Sequence, residues 1–73
     1  MLNMISFTSA YSWDEKVFVD PADVSVIKRL HKDRDMGEYS EIFMKNGERV
    51  AVCGLPTEVA KVIREGLKNE MGN

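Results

Sequence analysis

Seventy-three residues, 44 % hydrophobic and 30 % charged, make one domain at most and exclude a disordered or collagenous chain. A single cysteine, Cys53, excludes an internal disulfide framework, and no run approaches the roughly 18 apolar residues of a membrane span. The net charge of −2 is uneven: residues 1–27 are net −3, residues 28–35 are net +2, and residues 36–73 are net −1.

The N-terminal stretch lacks Lys and Arg before Lys16, and Asn3, Ser6, Thr8 and Ser9 interrupt its apolar character. It therefore does not read as a signal peptide, and with the lone thiol it points to a cytoplasmic protein. Alternation at Leu2 and Met4, or at Ile5 and Phe7, permits a first strand, with Phe7 as a core residue. Ser9 to Asp14 reads as a turn or loop. Tyr11 and Trp13 lie in it and precede Asp14-Glu15, so they would sit at the edge of anything buried. Two uses are open to them: a lid over the uncovered sheet face, or anchors for a partner, since Trp and Tyr are enriched at interface hot spots.

KVFV then reads as a strand, Asp20-Pro21-Ala22-Asp23 as a turn, and VSVI as the start of a strand that continues through Leu30. The cluster KRLHKDR follows, with Lys28, Arg29, Lys32 and Arg34 set against Asp33 and Asp35. Asp33 to Glu38 is a polar connection containing Gly37. In EIFMKNGERVAVC, Asn46-Gly47 separates two β-rich runs and predicts a hairpin with a two-residue type I′ turn. That closure would pair Lys45 with Glu48, Phe43 with Val50 and Glu41 with Val52 on one face. Ile42 with Ala51 and Met44 with Arg49 would fall on the other, so both faces carry apolar residues.

Pro56 suits a first helical position, Glu58 the first turn and Lys68 the last. Val59, Val62, Ile63, Gly66, Leu67 and Glu70 recur at helical spacing, which predicts one buried face. Gly66 on that face costs about 1 kcal/mol of helix propensity against Ala, so its expected use is close approach to the sheet. The predicted fold is α+β: a small antiparallel sheet of four or five strands with one C-terminal amphipathic helix packed on one face. Residues 1–73 form a single domain, with a strand or loop segment at 1–15, the sheet and helix at 16–69 and a frayed tail at 70–73.

The layout VFVDPADVSVI, then IFMKNGERVAV followed by EVAKVI, resembles the short FlbD-like proteins of flagellar operons and small phage proteins over residues 16–69. Its matched positions are core, turn and helix positions, so the resemblance implies a fold rather than a task. The complete chain, with its aromatic start, is similar to small bacteriophage-encoded factors that bind host RNA polymerase, inhibit transcription initiation and promote antitermination. That likeness implies binding near the RNA exit region, a host elongation factor as accessory partner, and no catalysis. It transfers no binding residue.

Chemistry-bearing constellations are sparse. Cys53 and His31 are the lone thiol and imidazole; they read as strand-end residues rather than a nucleophile and base. A zinc site needs more ligands than these, and DPADVS lacks the calcium-loop pattern, so no metal, cofactor or enzymatic activity is expected. KRLHKDR beside aromatic rings invites a nucleic-acid reading, but a pI near 5.3 and the interrupting Asp33 and Asp35 weigh against direct nucleic-acid binding. A protein partner met through Tyr11, Trp13, Arg29, Lys32 and Arg34 is the preferred expectation, host RNA polymerase first among candidates. A small nucleic-acid-binding protein using residues 28–34 and an FlbD-like flagellar assembly factor are the alternatives.

Overall fold

The structure, a computed structural model, describes residues 4–32 and 34–71, with side chains through Asn69. Leu2, Asp33 and the side chain of Glu70 lie outside the described residues. The elements in chain order are β1 (Ile5–Thr8), β2 (Lys16–Val19), a 3-10 turn (Pro21–Asp23), β3 (Val24–Leu30), β4 (Tyr39–Met44), β5 (Arg49–Cys53) and α1 (Pro56–Met71). No helix among them is long and apolar enough to cross a membrane. Since α1 continues to Met71, the chain is still helical where a frayed tail was expected to begin.

The expected single sheet is instead two antiparallel sheets, β1-β2 and β3-β4-β5. The cause lies at Pro21–Asp23. Asp20 accepts the Ala22 N–H, the proline ring sets the first turn, and Pro21 is buried, so the chain leaves β2 and begins β3 against β4. The two sheets meet at one corner, where Ser9 bridges Val52 and the Ala10 N–H donates to the Ala51 carbonyl. That contact covers one end of the β5 edge.

The hairpin between β4 and β5 forms, but not with the predicted turn. Met44 N–H donates to Glu48 O at 2.7 Å and Gly47 N–H to Met44 O at 3.0 Å, so three residues, Lys45, Asn46 and Gly47, make the connection. Only Gly47 among them has positive φ, at 94°, and Asn46 uses its side-chain oxygen to accept the Glu48 N–H. A type I′ turn would place Asn46 at positive φ too; a type I turn followed by one left-handed residue asks this only of the glycine. The register consequently shifts by one: Ile42 faces Val50, Ser40 faces Val52, and Phe43 faces Arg49. The core favours this choice, because it puts Ile42, Val50 and Val52 on the same side of the sheet, whereas the predicted pairing would set the two valines beside Phe43 and Glu41.

Phe7, Val19, Ile42, Val52, Val59 and Ile63 form the buried core, drawn from both sheets and the helix. Full burial of such a side chain contributes about 1.5–3 kcal/mol each. Ser40 is also fully buried and remains satisfied by donating its hydroxyl to Gly54 O at 2.6 Å. At the start of α1, Glu58 accepts the Leu55 N–H, while the Val59 N–H closes the first helical turn on Leu55 O. Val59, Ile63 and Gly66 are buried along α1, but Val62 is 42 % exposed and leaves the predicted stripe. Gly66 does serve close approach: a Cβ there would lie 3.2 Å from Pro21 Cγ and 3.4 Å from Ile5 Cγ2, against the 3-10 turn and β1 rather than the larger sheet.

Candidate functional site

The β1–β2 connection carries the aromatic pair. Ser9 N–H donates to Glu15 O at 2.9 Å, continuing the β1–β2 ladder, and Glu15 N–H donates to Ser12 O at 3.1 Å, folding Ser12–Glu15 into a turn with Trp13 at its centre. Tyr11 N–H is held by Ser9 Oγ at 3.2 Å, and the Ser12 hydroxyl donates to Asp14. Ala10 is buried, whereas Tyr11 is 71 % and Trp13 86 % exposed. The segment is thus a short loop with a buried base and two rings projecting into solvent. Neither ring is a lid over the sheet.

Lys32 explains how the base is fixed. Its Nζ donates to the Ala10 carbonyl, lies 5.3 Å from the Tyr11 ring centroid and 4.4 Å from that of Tyr39, and approaches Asp35 Oδ2 to 3.5 Å. A cation over a ring face is attracted by the ring quadrupole, so one ammonium joins the loop to the β3–β4 connection. Asp35 is in turn held by three donors: Gly37 N–H at 2.8 Å, the Tyr39 hydroxyl at 2.8 Å and Lys32. The Gly37 N–H, then the Tyr39 hydroxyl, hold the Asp35 carboxyl below its ordinary value of 3.8. The same Asp35 bond raises the Tyr39 phenol above 10.0, because losing its proton would set two anions together.

Cross-strand pairing places further side chains on the same surface. Val26 with Phe43, Lys28 with Glu41 and Leu30 with Tyr39 share the face of β3-β4-β5 opposite Ile42 and Ser40. Lys28 Nζ lies 5.4 Å from the Phe43 ring centroid, and Arg49 pairs with Glu41 at 3.8 Å. This outer face therefore runs as rings interleaved with cations and carboxylates, ending at Tyr39 and Lys32 beside the Tyr11 loop.

Of the five residues singled out from sequence, Tyr11 and Lys32 come together, and Trp13 follows two residues along the same loop. Arg29 pairs with Ser40 and so belongs to the other face of β3, where it is exposed. Arg34 is exposed in the β3–β4 connection with φ 60°, the one non-glycine described with positive φ. Asp35, Tyr39 and Phe43 were not among the expected site residues, and Lys28 entered only as part of the 28–34 cluster of the nucleic-acid alternative. For Tyr39 and Phe43 the signal is the alternation Tyr39, Glu41, Phe43 against Ser40, Ile42, Met44, which marks a second, aromatic face on β4.

The Cys53 thiol donates to the Ser9 carbonyl at 3.4 Å, and His31 is exposed beyond the end of β3. Among the described residues no three His, Cys, Asp or Glu side chains gather as a metal site. The fold and surface together define a small α+β domain with an aromatic loop clasped to a mixed ring-and-charge face. Comparison with protein-family models, curated proteins and solved structures finds no match for the chain.

Proposed function

We propose that this is a non-enzymatic regulatory protein that binds host bacterial RNA polymerase, inhibiting transcription initiation and promoting antitermination, with a host elongation factor as accessory partner. The observation that carries the reading is Trp13: a large ring, 86 % exposed, on a turn whose base is fixed by the Ala10–Ala51 hydrogen bond and by Lys32. An aromatic side chain on a preorganised loop loses little freedom on docking, which suits it to anchor a protein interface. Tyr11 adjoins it, and Arg29 and Arg34 supply exposed cations that would speed association with an acidic surface. The body behind them, with its amphipathic helix packed on one face, acts as a rigid platform. The choice of polymerase as partner rests on the likeness of the whole chain to phage-encoded polymerase-binding factors.

Retention of tagged protein with polymerase from host lysate tests the reading. Wild-type protein is expected to recover polymerase at gentle salt, and Trp13→Ala to lose it while keeping its thermal unfolding transition, since truncating an exposed side chain costs little stability. Recovery of no polymerase subunit by the wild-type protein overturns the reading. Loss of folding in Trp13→Ala overturns Trp13 as an anchor. Tight binding of DNA or RNA that weakens steeply with salt would transfer the function to the nucleic-acid class.

A further inference from the structure

At the other end of β4 from Tyr39 lies a groove that the aromatic loop does not touch. Its floor is apolar: Met4, Phe18, Met44 and Val50 line it, with Met4 48 % and Phe18 63 % exposed. Phe18 faces outward because its cross-strand partner is the exposed Ser6, while Val17 and Val19, on the opposite side of β2, pair with Phe7 and Ile5. The rim is anionic. Asp20, Asp23 and Glu48 line the groove, and among the described residues no Lys, Arg or His does. Asp20 is engaged with the Ala22 N–H through one oxygen, and Lys45 meets Asp23 only through the backbone, its N–H donating to Asp23 O at 2.7 Å. With about 180 Å³ of space the groove is smaller than the roughly 300–1,000 Å³ of small-molecule pockets, so it suits a protruding side chain rather than a free ligand.

We propose that this groove docks a basic segment of a partner protein, taking one arginine or lysine together with an apolar neighbour. Long cationic side chains are amphipathic: an aliphatic stem lies along apolar surface while the charged head stays among polar groups. The Phe18 ring and Met4 accept the stem, and Asp20, Asp23 and Glu48 surround the head. Charge complementarity selects this occupant, since a second anionic segment would be repelled and a wholly apolar one would leave three carboxylates without a counter-charge. A second copy of the chain is disfavoured by geometry. Its basic cluster at residues 28–34 is a different surface from the groove, so a second copy would dock head-to-tail, giving rings or open filaments rather than the common two-fold dimer. The inference is independent of the polymerase reading, because none of the groove residues belongs to the Tyr11–Trp13 surface.

The test uses the full chain, isotopically labelled, titrated with a short synthetic peptide alternating arginine and leucine and with a counterpart alternating glutamate and leucine. The arginine peptide is expected to bind weakly, about millimolar, and to shift NMR signals of Met4, Phe18, Met44 and Glu48, while the glutamate peptide does not. Asp23→Asn with Glu48→Gln, both at exposed positions, is expected to weaken binding about fivefold, from small contributions per exposed ion pair. Phe18→Ser should weaken it as well, and Trp13→Ala should leave it unchanged. Shifts confined to Tyr11–Trp13, equal binding of both peptides, or undiminished affinity in the double variant would each overturn the proposal. Self-association of the chain that disappears in the double variant would overturn it in favour of a second copy.

Discussion

The Lys32 ammonium sits 4.4 Å from the centroid of the Tyr39 ring while donating to the Ala10 carbonyl, so one side chain spans the two sheets' connections at the end where the aromatic loop projects. Its position was expected to face a partner. Its side chain is 23 % exposed, and its ammonium bonds the Ala10 carbonyl and lies 3.5 Å from Asp35. Through these contacts Lys32 joins the aromatic loop to the β3–β4 connection.

Lys32→Met keeps the aliphatic stem and removes the charge. It should lower stability by about 1 kcal/mol, chiefly through the unpaired Ala10 carbonyl, measured by urea unfolding at constant m-value. Amide exchange at Ala10 and Tyr11, whose N–H groups are bonded to Ala51 O and Ser9 Oγ, should quicken at the same time. Unaltered exchange would show that the other bonds of the loop, Ala10–Ala51 and Ser9–Glu15 among them, hold it without Lys32. Lys32→Arg should restore part of the protection, since a guanidinium also stacks on aromatic rings.

Gly37→Ala attacks the same arrangement from beneath. A Cβ at residue 37 would fall 2.7 Å from the Tyr39 ring and hydroxyl oxygen, inside contact distance. The ring is the mobile partner, so it should swing away, breaking its bond to Asp35 and its stack with Lys32. The expected outcome is a folded protein whose Tyr39 phenol returns toward its ordinary value, followed by NMR titration of the ring signals. A phenol that stays raised would mean that the backbone yields instead.

The pH dependence follows from the same pair. The folded-state carboxyl of Asp35 is depressed, so the unfolded chain binds more protons over the interval between the two values and stability rises with pH there. This contribution is present above 3.8 and is lost as pH falls through the lower folded value. Tyr39 has the opposite sign: its raised phenol stabilises the fold below 10.0 and that stabilisation is lost as pH rises through the folded value. Chemical unfolding of Asp35→Asn should show a shallower acid limb than wild type, and Tyr39→Phe a shallower alkaline limb. Parallel limbs in variant and parent would remove the pair from the titration.

Local chemistry made most of the elements legible. Asn46-Gly47 marks the hairpin, Pro56 and Glu58 mark the start of α1, and Phe7 is buried as its alternation with Ile5 suggested. Sheet membership and register were not legible, because they are decided by contacts between segments distant in sequence. The hairpin slips by one residue to bring Val50 and Val52 to the core face, and β1 pairs with β2 while its continuation reaches β5. The site shows the same division. The loop carrying Tyr11 and Trp13 was legible, but a lid and an exposed pair remained equally open until the fold set both rings in solvent; the capture of Lys32 by Ala10, Tyr11 and Tyr39 needs three separate elements and leaves no local trace.

Arg34 gives the sharpest separation of side chain from backbone. It stands at φ 60° in the turn where Asp35 N–H donates to Lys32 O at 3.1 Å, a left-handed conformation that costs an L residue about 1–2 kcal/mol. Glycine removes that cost but loses about 0.4–1 kcal/mol through the freer unfolded chain. Arg34→Gly should therefore equal or exceed wild type in stability by up to about 1 kcal/mol in denaturant unfolding. Arg34→Val, branched at Cβ, should be less stable than either because it fits the left-handed region worst. If Arg34 contributes to polymerase association, Arg34→Gly will slow the on-rate at low salt with the fold intact, and the difference will shrink as salt screens the missing charge. An unchanged on-rate in that variant would remove Arg34 from the interface and leave the aromatic pair to carry it.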